Sequence, residues 1–198
     1  MEQVAAKGLP PHSLMQRAGL AVARLACAIA PHAQTVWVAC GPGNNGGDGF
    51  EAAMHLQRWG RKPILTWCGD EAHCPPDALA SLQRVRAAGV PFSPAAPAQF
   101  DLAIDALLGI GSTRAVDGTM ASWLLHMHRS CAPVLCIDLP SGLHADTGCY
   151  ADSEFTTDLI AAYVQATRTT PRFCLNLLTL KPGCFTAQGK DAAGQVWW

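Results

Sequence analysis

The chain has 198 residues, of which 49% are hydrophobic and 15% are charged, and its formal net charge is −1. This composition supplies enough apolar side chains for one core and too little charge for a disordered chain. The sequence contains no block of Lys and Arg, which argues against a nucleic-acid partner. Its apolar runs are far too short to cross a bilayer. We therefore expect a single domain over residues 1–198, with neither nucleic-acid nor membrane partners.

The cysteines and the N-terminus indicate a cellular compartment. Nine cysteines are scattered along the chain without a C-x-x-C pair, and several lie inside apolar runs. Such usage is typical of buried free thiols in a reducing environment. Cys68, His73 and Cys74 match no established zinc spacing, and the first residues form no apolar signal-peptide core. We expect a cytoplasmic protein.

Helix-like and strand-like stretches alternate along the chain. Ser13 and Gln16 match a capping box, which predicts a helix over 13–30. A strand rich in β-formers is predicted at 35–40, and a helix at about 49–59 follows a glycine-rich turn. Further predicted elements are strands at 63–67, 101–105, 133–137 and 175–180, and helices at 76–88 and 120–129. This alternation predicts a parallel sheet with helices on both faces.

The glycine-rich turn has the sequence GPGNNGGDG, residues 41–49. Gly41, Gly43 and Gly46 satisfy G-x-G-x-x-G between a predicted strand and a predicted helix. Glycines permit positive φ and close ligand approach, and a helix start offers free N–H groups to an anionic ligand. A tight turn without a ligand is the alternative. Five glycines beside Asn44, Asn45 and Asp48 favour a nucleotide-type ligand. The turn does not end in the Gly-Lys-Ser/Thr of a Walker A motif.

Two other predicted strands end in acidic residues, Asp105 and Asp138, the second followed closely by Ser141. Ligands of parallel sheets bind at the carboxyl ends of the strands, so these residues are expected to converge with Asn44 and Asn45. Each aspartate alone is more often a turn or cap residue. Together, carboxylate, amide and hydroxyl oxygens suit a hard cation, and a carboxylate can serve as general acid or base.

Several sequence blocks carry a family resemblance. They are residues 14–19, 40–49, 105–109, 137–143 with 146–148, and 180–183. In these blocks, and in their order, the chain resembles the NAD(P)HX epimerases, also called the YjeF N-terminal domain family. The resemblance implies a Rossmann-like three-layer αβα sandwich with a mostly parallel sheet. It also implies an isomerase that interconverts the R and S forms of hydrated NADH and NADPH, which carry a hydroxyl at C6 of the nicotinamide ring. Such an enzyme repairs damaged nicotinamide nucleotides.

The same resemblance implies roles for individual residues. Asn45, Asp105 and Ser141 match the ligands of a potassium ion. The matching substrate-binding positions are Asn44, Asn45, Gly46, Gly47, Asp48, Gly109, Ile110, Gly111, Ser112, Thr113, Arg114, Ala115 and Asp138. Since Asp138 ends a predicted central strand, we expect it to be the general acid and base. A carboxylate at Asp48 would repel a pyrophosphate, so the glycine-rich turn is not expected to be a plain pyrophosphate cradle.

Several alternatives remain open at this stage. The sequence blocks give no alignment for residues 149–174, and many bacterial relatives continue into an ADP- or ATP-dependent dehydratase domain. The chain is therefore expected either to stand alone or to be the first part of such a fusion. A homodimer is expected because it is the commonest assembly. A noncatalytic ligand- or protein-binding module is the main alternative function. An ordinary NAD-dependent oxidoreductase is disfavoured, because no Tyr-x-x-x-Lys pair occurs.

Overall fold

A computed structural model of the chain describes residues 8–111, 115–151, 156–166 and 170–198. Its helices are α1 (Ser13–Ile29), α2 (Asn44–Arg58), α3 (Pro76–Ala87), α4 (Gly118–Arg129), α5 (Thr156–Ala166) and α6 (Gly189–Ala193). Its strands are β1 (Thr35–Cys40), β2 (Lys62–Trp67), β3 (Leu102–Ala106), β4 (Val134–Ile137), β5 (Arg172–Leu175) and β6 (Gln195–Trp197), and short 3-10 turns cover Glu71–His73 and Pro182–Phe185. The strands form one sheet in the order β2-β1-β3-β4-β5-β6, with every pair parallel.

The sheet is sandwiched between two layers of helices. Side chains along β1 alternate between the layers, as a pleated strand requires. Val36 and Val38 join the apolar cluster formed with α1, α2 and α3. Trp37 and Ala39 join the cluster formed with α4, α5 and α6. This arrangement confirms the predicted three-layer αβα architecture. Of the helices that the structure describes, none is both long and apolar enough to cross a membrane.

One predicted helix cap and one predicted helix start are wrong. Ser13 is the first helical residue of α1, so His12 takes the N-cap position with φ of 64° and no side-chain cap. The predicted capping box therefore does not form. Helix α2 begins at Asn44, five residues before the predicted start. Glycines are poor helix formers, but close packing fixes Gly46 and Gly47 in the first turns of α2, so tertiary contacts override propensity here.

The C-terminal part of the sheet also differs from the prediction. The late strand is Arg172–Leu175, whereas residues 176–180 leave the sheet. Leu178 has a left-handed backbone with φ of 62°, which a strand cannot contain. The three-residue strand β6 pairs with β5 at the edge of the sheet. It was not predicted, since a strand this short shows no hydrophobic periodicity, and α5 and α6 were not predicted either.

Candidate functional site

A cavity of about 610 Å³ lies at the carboxyl edge of the sheet. Strand order reverses between β1 and β3, because β2 lies on one side of β1 and the later strands on the other. Loops leaving neighbouring strands diverge at such a reversal and open a crevice. The lining comprises Pro42, Gly43, Asn44, Asn45, Asp48, Leu107, Leu108, Gly109, Ile110, Gly111, Asp138, Leu177, Leu178 and Lys181. The segments after β1, β3, β4 and β5 thus meet here, as expected from the strand ends.

The first wall of the cavity is the N-terminal turn of α2. Gly43 is its N-cap, and the first intrahelical bond runs from the Gly47 amide to the Gly43 carbonyl at 3.3 Å. The amides of Asn44, Asn45 and Gly46 precede that bond and have no carbonyl within the helix to pair with. Together with the positive end of the helix dipole, they form a surface suited to a negatively charged group.

The glycines of residues 41–49 serve close packing and not positive φ. None of them has a positive φ, contrary to the expected reason for their presence. A Cβ on Gly41 would lie 1.8 Å from the Leu107 carbonyl oxygen, and one on Gly46 would lie 2.2 Å from the Gly41 carbonyl oxygen. Such contacts are sterically impossible. The absence of a side chain therefore lets the turn, the β3 loop and α2 touch backbone to backbone.

Asn45 is inside the protein, with 8% of its surface exposed. Its Nδ2 is buried and finds no hydrogen-bond partner among the described residues. Its Oδ1 faces Gly109, whose ideal Cβ position is 3.5 Å away. A buried amide without a partner is unfavourable unless a ligand satisfies it. Asn45 is thus a candidate ligand-binding side chain.

Asp105 and Ser141 form one buried unit. The Ser141 hydroxyl donates to Asp105 Oδ1 at 2.6 Å, the Ser141 amide donates to Oδ2 at 3.0 Å, and the Leu107 amide donates to Oδ1 at 3.2 Å. Ser141 Oγ also accepts from the Leu108 amide at 2.9 Å. Burial raises the pKa of the Asp105 carboxyl, an effect that these hydrogen bonds oppose. No ion pair of the described residues involves Asp105, so its partners are neutral.

Asp138 follows β4 directly and adopts a left-handed backbone with φ of 72°. Its side chain is almost buried, and Oδ1 accepts from the Leu177 amide at 3.2 Å and pairs with the Lys181 ammonium. Oδ2 makes no hydrogen bond with any described residue, which leaves it available to a molecule in the cavity. A non-glycine residue held in this strained conformation is a common mark of a functional position.

Lys181 is the charged residue of the cavity lining to which sequence reasoning assigned no role. It is 6% exposed, and its ammonium donates to the carbonyls of Leu177 and Thr179 at 2.5 and 2.9 Å besides pairing with Asp138. Buried lysines are rare without such compensation. Lys181 belongs to the family block at residues 180–183, so the resemblance did draw attention to it. A lysine in a sequence is, however, usually interpreted as a solvent-exposed charge. Only the folded chain places it against an aspartate 43 residues earlier.

The remaining predicted site residues fall into three groups. Gly109, Ile110 and Gly111 line the cavity with Asn44 and Asp48. Gly46, Gly47 and Ala115 lie outside its lining; Gly47 packs behind it, against Met15 of α1. Ser112, Thr113 and Arg114 lie outside the described residues.

A second groove of about 790 Å³ adjoins the first. Asn44, Asp48, Leu177 and Leu178 line both. The groove runs between the start of α1 and the residues that follow β5, and most of its lining is apolar. The two spaces together offer room for a ligand with more than one chemical part.

Comparison with known families identifies this arrangement. A model of the family described as "YjeF-related protein N-terminus" matches residues 11–178. The chain belongs to this family. The match includes α1, the glycine-rich turn, Asp105 and Asp138, which are the elements that build the cavity. The predicted family membership is therefore confirmed.

Individual relatives agree with the family match. The NAD(P)H-hydrate epimerase of Limosilactobacillus fermentum is 34% identical over 191 residues, covering 96% of this chain and 85% of that protein. The NAD(P)H-hydrate epimerase of Rhodobacter capsulatus is 43% identical over 143 residues, covering 67% of each chain. The bifunctional NAD(P)H-hydrate repair enzyme Nnr of Escherichia coli is 31% identical, and this chain spans 35% of its length. The crystal structure of yeast ynu0 has the same fold, with a TM-score of 0.71 at 20% identity over 93% of this chain and 80% of that one.

Proposed function

We propose that this protein is an NAD(P)H-hydrate epimerase, which interconverts the R and S forms of hydrated NADH and NADPH. The observation that carries the proposal is Asp138, an almost buried carboxylate with one oxygen fixed by Lys181 and the other available to the cavity. Relatives named NAD(P)H-hydrate epimerase cover most of the chain at 34–43% identity. A purely noncatalytic binding module would have no need of a strained, paired acid at this point.

The cavity suits a dinucleotide. The free amides at the start of α2 would bind electronegative oxygens of the ligand, while the Asp48 carboxylate in the same lining disfavours the diphosphate next to it. The partnerless Nδ2 of Asn45 would be satisfied by a ligand oxygen. Gly109 and Gly111 allow the chain after β3 to approach the ligand closely. The hydrated nicotinamide would then lie toward Asp138, with the adjoining groove open to the rest of the molecule.

Epimerisation at C6 requires one proton to be delivered and one proton to be removed. In the protonated form, Asp138 would give its proton to the C6 hydroxyl, which leaves as water. A water molecule then adds to the other face of the ring and returns a proton to the carboxylate, so that no redox change occurs. Ring opening and closure is an alternative route that uses the same two proton transfers. In both routes Lys181 orients the carboxylate and keeps Oδ1 occupied, so that the other oxygen performs the transfer.

We also propose a potassium site formed by the oxygens of Asn45, Asp105 and Ser141. The residues fit such an ion, because one buried carboxylate accompanies neutral oxygens, a low charge count for a divalent cation. The fully buried Asp105 has only neutral partners among the described residues, and a cation would compensate its charge. When bound, potassium would supply positive charge that stabilises the turn around the substrate.

An assay of R-to-S conversion tests the proposed function. Purified protein is mixed with one epimer of hydrated NADH or NADPH, and the two epimers are separated by chromatography over time. The expected result is equilibration far faster than the spontaneous background. Ligand binding is measured in parallel by the thermal shift of the protein. Binding without acceleration would favour the noncatalytic module, and neither binding nor acceleration would contradict both functions.

The cellular setting and the assembly stay predictions. A reducing, cytoplasmic location agrees with the nine cysteines, all of which are free. The homodimer is tested by size-exclusion chromatography with light scattering. This chain spans 35% and 29% of the length of two relatives named bifunctional NAD(P)H-hydrate repair enzyme Nnr, and fusion to a dehydratase domain stays a prediction.

A further inference from the structure

The backbone of Asp138 needs an external support. Its φ of 72° lies in the left-handed region, which residues with a side chain avoid. Asp tolerates this region better than most residues, but the conformation persists only where surrounding contacts impose it. The support therefore has to come from groups that bind the main chain of Asp138.

Asn176 supplies that support. Its Nδ2 donates to the Asp138 carbonyl oxygen at 2.5 Å, and its Oδ1 accepts from the Lys181 amide at 2.9 Å. The side chain is 2% exposed, so water does not compete for these bonds. A single amide thus connects the main chain of the predicted acid with the main chain of its cationic partner.

The other contacts of this amide are weaker. Nδ2 lies 3.5 Å from Cys174 Sγ and 3.6 Å from Cys184 Sγ, and thiols are poor acceptors. The Cys174 thiol reaches the same Asp138 carbonyl at 3.6 Å. These thiols surround the amide without replacing its two short bonds. The Asp138 amide is held separately, because it donates to the Leu175 carbonyl at 2.8 Å, so Asn176 is the side chain that fixes the carbonyl side of Asp138.

We propose that Asn176 is a positioning residue for the epimerisation: it holds Asp138 in its left-handed conformation and holds Lys181 against the Asp138 carboxylate. The inference rests on the proposed function, in which Asp138 transfers the proton. Asn176 does not line the 610 Å³ cavity, but it is among the residues that line the adjoining groove. Since its side chain is 2% exposed and its amide is occupied by the Asp138 carbonyl and the Lys181 amide, its loss affects the geometry of proton transfer more than the affinity for the substrate.

The substitution Asn176→Leu tests this role, because leucine has a similar branched shape and no hydrogen-bonding groups. A displacement of a reacting group by about 1 Å can cost about 10²-fold in rate, and we expect kcat to fall by roughly 10- to 100-fold with KM changed less than threefold. In the Asp138→Asn background the same substitution is expected to change kcat less than twofold, since its effect passes through Asp138. Equal losses of kcat in both backgrounds would overturn the inference.

Thr66→Val is the matched control. Thr66 is fully buried on β2 and accepts a hydrogen bond from the Trp37 indole at 2.9 Å, away from the cavity. This variant is expected to lower the thermal stability while leaving kcat unchanged. If Asn176→Leu does not fold, Asn176→Ser provides the measurement, because its short hydroxyl can reach only one of the two partners. It is expected to lower kcat in the same way.

Crystal structures of the wild type and of Asn176→Leu give a readout that does not depend on turnover. Asp138 is expected to keep its positive φ in the wild type and to leave the left-handed region in the variant. Retention of the left-handed conformation in Asn176→Leu would overturn the inference whatever the activity. An inactive wild type would instead contradict the proposed function, and the backbone of Asp138 in the variant would still decide the role of Asn176.

Discussion

Two walls of the cavity are built on different principles. The wall at residues 41–49 is made of backbone: its glycines allow the turn, the β3 loop and α2 to approach closely, and its free amides come from the helix start. The wall at residues 174–181 depends on side chains: Asn176 and Lys181 are buried, and together with the Leu177 amide they hold Asp138 at three points. Substitutions in the first wall should therefore change stability, and those in the second should change the rate.

The largest expected effect is at Asp138, the residue that the side-chain wall holds in place. Asp138→Asn removes the transferable proton and keeps the shape and the tolerance for a left-handed backbone. We expect kcat to fall about 10²- to 10⁴-fold, the usual contribution of a positioned acid or base, with a smaller change in KM. Steady-state kinetics corrected for spontaneous epimerisation measures both constants. Asp191→Asn, at an exposed position of α6, is the control with the same charge change. A near-normal kcat with a raised KM would show that Asp138 only binds the ligand.

The potassium ion would join the two walls, since Asn45 belongs to the first and Ser141 lies beside Asp138. With an organic cation in the buffer, added potassium chloride is expected to stabilise the wild type by about 2.7 kcal/mol at 100 times its Kd. Asp105→Asn, which removes the one carboxylate, should lose this gain. Thermal unfolding at constant ionic strength measures it. The same gain with sodium, or an undiminished gain in the variant, would count against a potassium site.

The backbone wall is tested by adding a single methyl group. Gly46→Ala places a Cβ 2.2 Å from the Gly41 carbonyl oxygen, and such overpacking is expected to lower the free energy of unfolding by about 1–3 kcal/mol. Gly111→Ala is the matched control, because among the described residues, chain neighbours apart, no atom lies within 4 Å of its Cβ position. Its stability should change by less than about 0.5 kcal/mol. Urea denaturation measures both variants, and equal stabilities would show that the turn is not closely packed.

The smallest effect concerns the opposite end of β5. Burial, and then the charge of Arg172, lower the pKa of His128 well below its usual value. A histidine with a lowered pKa in the folded state contributes stability above its unfolded pKa of about 6.5, and this stability is lost as the pH falls below that value. The loss is about 1.4 kcal/mol for each pH unit. His128→Gln should reduce the slope of stability against pH between 6.5 and 5.5, as measured by urea denaturation. His32→Gln, at an exposed position, is the control, and an unchanged slope in His128→Gln would assign the acid sensitivity to other groups.

Much of the site could be predicted because its positions follow from local patterns. Asp105 and Asp138 end buried strands, and the carboxyl ends of parallel strands share one edge of the sheet. The N-terminal turn of α2 was mistaken for a loop, because propensity alone disfavours a helix through Gly46 and Gly47. Asn176 and Lys181 were not predicted at all. Asn176 lies in a segment expected to be a strand, whereas it bonds to a carbonyl 38 residues away. Lys181 lies in the family block at 180–183, to which no role was assigned.

The sequence by itself determined the αβα sandwich, the family, and the strand ends that carry the acids. Each of these depends on hydrophobic periodicity or on a contiguous motif. Both are set by interactions between residues that are close together in the chain. Tertiary structure alone decided where α2 begins, that its glycines serve close contact, and that Asp138 is strained and paired with Lys181. These features arise when segments distant in the chain exclude water from shared polar groups. A buried carboxylate, carbonyl or ammonium then has to find its partner within the protein.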